Sequence, residues 1–117
     1  MLAINGTIYW AVACFNYGDD PAFNRQRYSP AWIASSKDNG TTWQNPSNLS
    51  MFTGRLSAPR FLQMGKNYRD NSDGYVYAYF PGAATGAFFS CNDEMLLARV
   101  PVRQVLNRSA YEFWLGP

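Results

Sequence analysis

Residues 36–43 read Ser36-Lys37-Asp38-Asn39-Gly40-Thr41-Thr42-Trp43, and this stretch fixes how the rest of the chain is read. The short carboxylate of Asp38 can accept hydrogen bonds from the backbone N–H groups of its own loop, and Gly40 can take a positive φ. A threonine hydroxyl can close the bend, and Trp43 carries a large ring to lay beneath it. The stretch is therefore a turn between two β-strands. On its amino-terminal side residues 28–35 read as a strand, with Pro30 near its start, where a missing N–H is tolerated. On its carboxy-terminal side Trp43-Gln44 reads as a short strand ending at Asn45-Pro46.

Working outward, the same alternation of β-formers and turn residues continues. Residues 2–4 lead into Asn5-Gly6, a strong two-residue hairpin signal, and residues 7–15 are rich in β-branched and aromatic side chains. Residues 16–27, with Gly18, Asp19, Asp20, Pro21 and Asn24, have loop composition. The second half repeats the order: a strand at 60–64, a turn region at 65–73, strands at 74–80 and 94–100 around a loop at 81–93, and a last strand at 111–115. Pro101 opens a segment that spaces Val102, Val105 and Leu106 on one side and predicts one or two helical turns. Asn5-Gly6-Thr7-Ile8-Tyr9 and Asp73-Gly74-Tyr75-Val76-Tyr77 share one pattern at the same place in each half, and the halves end on Trp43 and Trp114. The expected fold is all-β: two four-stranded antiparallel meanders, residues 1–53 and 54–117, with one short helix. Repeated meanders of this length are the mark of propeller blades.

The stretch 36–43 resembles the Asp-box motif, Ser-x-Asp-x-Gly-x-Thr-Trp, of sialidase-like β-propellers, with Ser36, Asp38, Gly40, Thr42 and Trp43 at the defining positions. More loosely, Gly74-Tyr75-Val76-Tyr77, Leu97-Ala98-Arg99-Val100-Pro101 and Arg108-Ser109-Ala110-Tyr111-Glu112-Phe113-Trp114 resemble the carboxy-terminal blades of uncharacterised bacterial domains related to five-bladed glycosidase propellers. The first resemblance implies that the motif is a structural staple away from the substrate cleft, so Asp38 is no catalytic acid. It also implies a glycan-related function.

Composition narrows the classes. The chain has 117 residues, 47% apolar and 15% charged, as a globular domain does. Its longest apolar run, 8–15, is far shorter than the roughly 20 residues of a membrane-spanning helix. A net charge of +2 with scattered arginines gives no footprint for nucleic acid. The first ten residues carry no secretory signal pattern, and nothing assigns a compartment. Histidine is absent, which removes the usual general base and the commonest transition-metal ligand; no metal or cofactor is expected. Cys14 and Cys91 read as small buried hydrophobes in preference to a disulfide.

In an up-and-down meander alternate connections emerge on opposite ends of the sheet. One end receives Asn5-Gly6, residues 66–73, the 36–43 turn and residues 102–109. The other receives residues 16–27, 81–93 and 47–59. That second end gathers Tyr17, Asp19, Asp20, Arg25, Arg27, Arg55, Arg60 and Asp93, a mixture suited to gripping a polyol or carboxylated sugar. The resemblance singles out Arg60, since sialidases place arginines at innermost strands to pair with a substrate carboxylate. A catalytic pair of Asp19 or Asp20 with Asp93 is conceivable but demanded by no spacing. Two sheets bury one pair of facing surfaces only, so a homo-oligomer, dimer or trimer, is expected to close a ring. A fragment of a longer gene is the competing expectation. The functional reading is a carbohydrate-binding or glycan-related module. A sialidase-like hydrolase whose site is completed between subunits, or a protein-interaction module, are the alternatives.

Overall fold

The computed structural model describes residues 1–13, 16–17, 26–27, 30–53, 56, 58–82 and 94–114. These residues are mostly β, and no helix among them reaches seven residues. Strands β1 (Leu2–Ile4), β2 (Thr7–Ala13) and β5 (Ala31–Ser36) form one antiparallel sheet in the order β1-β2-β5. Strands β6 (Arg60–Phe61), β7 (Tyr75–Gly82), β8 (Glu94–Pro101) and β9 (Glu112–Phe113) form a second, in sequential order. A small ribbon pairs β3 (Asn16–Tyr17) with β4 (Gln26–Arg27), inside the segment read from sequence as loop alone.

The Asn5-Gly6 hairpin closes as its dipeptide requires, with φ of 49° and 81° and Ile4 paired to Thr7. Its expected counterpart does not. Around Asp73-Gly74 only Gly74 has positive φ, because the Asp73 carboxylate holds the bend by accepting from Tyr75 N at 3.1 Å and the Tyr77 hydroxyl at 2.6 Å.

The first sheet is three-stranded, not four-stranded. Where a fourth strand was expected, the free edge of β5 is met by two single bridges, Ser35 with Gln44 and Ala31 with Phe52. Both bridges are double, with N···O distances of 2.8–3.0 Å. Continuing the register set by Ser35 and Gln44 would bring Asn48 to Ala31. Phe52 stands there instead, because the chain loops out after Asn45-Pro46, where proline has no N–H to continue a ladder. The strand expected over 60–64 is regular only at Arg60–Phe61, with Leu62 N adding one bond to Tyr77 O at 2.9 Å. The expected helical segment is a pair of single 3₁₀ turns, Val102–Gln104 and Arg108–Ala110. In that geometry Val105 is buried while Leu106 faces out, so the two do not share a face as read.

One apolar core joins the sheets. Leu2, Ile4, Ala31, Ile33 and Phe52 from the first meet Val76, Ala78, Phe80, Ala98 and Val100 from the second. Phe52 sits at the seam, its ring 4.9 Å from Phe80 and 5.3 Å from Tyr111. The alternation along β7 sends Val76, Ala78 and Phe80 inward and Tyr79 outward. Each sheet thus keeps a second broad face, and a closed ring of blades is not formed by these two sheets.

Candidate functional site

The 36–43 turn is a closed hydrogen-bond circuit. Asn39 and Gly40 take φ of 57° and 86°; a Cβ at Gly40 would find ordinary contact with the Trp43 ring at 3.5 Å, so it is the left-handed backbone that favours glycine here. Ser36 Oγ donates to Asp38 Oδ1 at 2.8 Å and accepts from Gly40 N at 2.8 Å. Asp38 accepts from Thr42 twice, through its hydroxyl at 2.5 Å and its N–H at 2.8 Å. Trp43 Nε1 donates to Gly40 O at 3.0 Å, and the indole meets Trp10 edge-on at 5.5 Å. The two Thr42 bonds, then the Ser36 bond, hold the Asp38 carboxyl down at about 2, against an ordinary 3.8. A carboxylate so engaged stays ionised and spends its lone pairs on the turn, which leaves it no proton to give a substrate.

That shift makes a pH prediction. A depressed folded-state pKa stabilises the protein above the unfolded value, and the contribution is lost as pH falls from about 4 to about 2. Asp73, lowered by the Tyr77 hydroxyl and then the Tyr75 N–H, acts with the same sign. Asp38→Asn is expected to flatten the fall in melting temperature across that window without abolishing it. An unchanged acid slope would show that the carboxylate is not held in this way.

At the junction of the two sheets lies a cleft of about 490 Å³ lined by residues that include Met1, Trp10, Pro59, Arg60, Gln63 and Pro81. Strand alternation aims Arg60 to the outward side, since its neighbour Phe61 packs on the core and Arg60 pairs with outward Tyr79. Its guanidinium makes no ion pair or hydrogen bond with the described residues. Trp10 is half exposed, its ring steadied by Trp43. Gln63 Nε2 donates to Met1 O at 2.7 Å, which ties the segment after β6 to the start of β1. A guanidinium without a partner among the described residues, in one cleft with an exposed indole, offers a fork for a carboxylate and a flat apolar face for a sugar ring.

Of the residues singled out from sequence as ligand-binding, Arg60 has a described side chain, and it lines this cleft. Tyr17 and Arg27 lie on successive rungs of the β3–β4 ribbon, Tyr17 opposite Gln26 and Arg27 opposite Asn16. Asp19, Asp20, Arg25, Arg55 and Asp93 lie outside the described residues. So do both cysteines. Trp10 and Gln63 were missed. The alternation of β2 separates Trp10 from Tyr9, but nothing in the sequence reveals that Trp10 shares a cleft with Arg60.

A second polar constellation runs across the outward side of β7, β8 and β9. Tyr77 donates to Asp73, Arg99 Nε pairs with Glu112 at 2.8 Å, and the Arg99 guanidinium lies 4.2 Å from the centre of the Tyr75 ring. The Tyr77 pKa is raised, first by its bond to Asp73, so this phenol keeps its proton and is no ready nucleophile. Among the described residues no three Cys, Asp or Glu side chains converge as a metal site would need, and no helix is long and apolar enough to cross a membrane. A scan of protein-family models and a search of curated proteins found no match to this chain.

Proposed function

We propose that the protein is a carbohydrate-binding module of the sialidase-like propeller kind, and that the cleft at Arg60 takes a carboxylated sugar. The observation that carries the proposal is the presence, in one cleft, of the Arg60 guanidinium, which has no partner among the described residues, and a half-exposed, ring-steadied Trp10. The 36–43 turn supports the kinship by its sequence pattern and by a carboxylate committed to the turn. The guanidinium supplies planar, bidentate recognition, and the indole covers the sugar's apolar face.

Titration calorimetry with a uronic acid and its neutral parent sugar tests the reading. The acid is expected to bind and the neutral sugar to bind weakly, and Arg60→Ala is expected to lower affinity for the acid by about tenfold to a hundredfold, the worth of a charge-assisted hydrogen bond. Equal binding of both sugars, or no loss in Arg60→Ala, overturns the assignment of the cleft. Release of a chromogenic aglycone would make the protein a hydrolase. Silence towards every glycan would leave the protein-interaction reading.

A further inference from the structure

We infer that the Arg60 cleft is one end of a longer tract, in which the outward face of the second sheet takes a short oligosaccharide with one acidic unit at Arg60 and a neutral unit in a recess at Trp114; this rests on the carboxylated-sugar reading of the cleft and extends it from one ring to a chain. The register carries it. Arg60 pairs with Tyr79, Tyr79 with Leu97, and Trp114 N donates to Leu97 O at 2.9 Å. Residues opposite one another on neighbouring antiparallel strands turn their side chains to the same face. One row therefore crosses the sheet in the order Arg60, Tyr79, Leu97, Trp114. At about 4.8 Å between strands, its two ends stand roughly 14 Å apart, a span suited to a short chain of sugar rings and not to one.

The far end of the row has the chemistry of a sugar subsite. A recess of about 360 Å³ is lined there by Tyr77, Leu97, Arg99, Glu112 and Trp114 among others. Trp114 is 63% exposed, so its indole offers a flat apolar platform to the face of a pyranose. Tyr77, Arg99 and Glu112 form the next row in register. Arg99 Nε donates to Glu112 Oε2 at 2.8 Å, and the guanidinium lies 4.2 Å from the centre of the Tyr75 ring, which holds both charged groups in place. The Nε contact engages one of five guanidinium N–H groups and one of two carboxylate oxygens. Donors and acceptors thus stand side by side, an arrangement that neighbouring sugar hydroxyls, each a donor and an acceptor, can satisfy together.

Charge gives the chain a direction. Arg60 has no partner among the described residues, so its end favours an anion. At the Trp114 end the Arg99 cation is already paired with Glu112, and the Tyr77 hydroxyl is bonded to Asp73 at 2.6 Å. A second carboxylate there would find no unpaired cation and would face the charge of Glu112, whereas a neutral unit meets neither cost. Tyr79, 40% exposed, lies between the two ends and gives the middle of the chain a second ring to lie on. Such a ligand needs a strip one row wide, not the whole face of the sheet.

Titration calorimetry tests this with short oligosaccharides that end in one uronic or sialic acid, each run beside its acidic monosaccharide and its neutral remainder. The acid-ended chain is expected to bind about tenfold to a hundredfold tighter than the monosaccharide, the worth of an added ring contact and hydrogen bond. Trp114→Ala is expected to bring the chain down to the affinity of the monosaccharide while leaving the monosaccharide unchanged, which also shows that the variant is folded. Leu106→Ala, about as exposed as Tyr79 but outside the row, is expected to change neither. Equal affinity for chain and monosaccharide, or a Trp114→Ala loss shared by both, overturns the longer tract and leaves the cleft standing. A neutral remainder that binds as tightly as the acid-ended chain overturns the direction assigned to it. Failure of both acidic ligands to bind overturns the cleft itself, and the tract with it.

Discussion

Phe52→Ala is expected to destabilise the protein by about 3–5 kcal/mol, the usual cost of emptying a fully buried phenylalanine site. Phe52 is fully buried and belongs to both halves. Its backbone completes the edge of β5 through Ala31, and its ring is held by Phe80 at 4.9 Å and Tyr111 at 5.3 Å in the other half. Arg108 lies over the same ring at 5.6 Å. Truncation opens a cavity at the seam of the two sheets, where neither sheet alone can collapse to fill it. Since domains of this size are stable by about 5–15 kcal/mol, the variant should sit near its unfolding threshold at ambient temperature. Urea denaturation followed by tryptophan fluorescence measures this. Leu49→Ala, three residues away at an exposed position, should fall within about 0.5 kcal/mol of wild type. A Phe52→Ala cost as small as that of Leu49→Ala would mean that the sheets do not share one core.

The second prediction sets two buried tyrosines against each other under one substitution. Tyr111 donates its hydroxyl to Val105 O at 2.7 Å inside the core, and burial pushes its pKa well up. Tyr68 is also buried, yet among the described residues its hydroxyl has no hydrogen bond of good geometry, the Tyr77 backbone being its nearest influence. Tyr111→Phe strips the Val105 carbonyl of its partner and is expected to cost about 1–3 kcal/mol. Tyr68→Phe removes a polar atom that was desolvated without compensation, and is expected to be neutral or to stabilise by about 1 kcal/mol. The same deletion of one oxygen thus has opposite signs at two sites. Thermal melts of both variants check it, and a Tyr68→Phe loss as large as that of Tyr111→Phe would show that the Tyr68 hydroxyl has found a partner.

Neither outcome can be read from the sequence, which shows two tyrosines in aromatic surroundings. Much else can. Asn5-Gly6 encodes its own turn because both residues tolerate positive φ, and the 36–43 stretch carries every donor and acceptor of its circuit within eight residues. Val76, Ala78 and Phe80 alternate with Tyr75, Tyr77 and Tyr79, so the inward face of β7 is legible from a period of two. What misled was local pattern without distance information. Asp73-Gly74 looks like Asn5-Gly6, but the Asp73 carboxylate is used up by Tyr75 and Tyr77 further along the strand. Glu112 looks like an idle outer residue until Arg99, opposite it in the register, is seen to bind it.

Sequence by itself determined the β class of this protein, the placement of its main strands and the chemistry of its tight turns, since each depends on contacts between near neighbours in the chain. Tertiary structure alone decided the rest: the split edge of β5, the single core sealed by Phe52, and the placing of Trp10 and Arg60 in one cleft. Those features join residues tens of positions apart. Their energies come from packing volume and from which polar atoms are left with partners, quantities that take values only once the sheets have met.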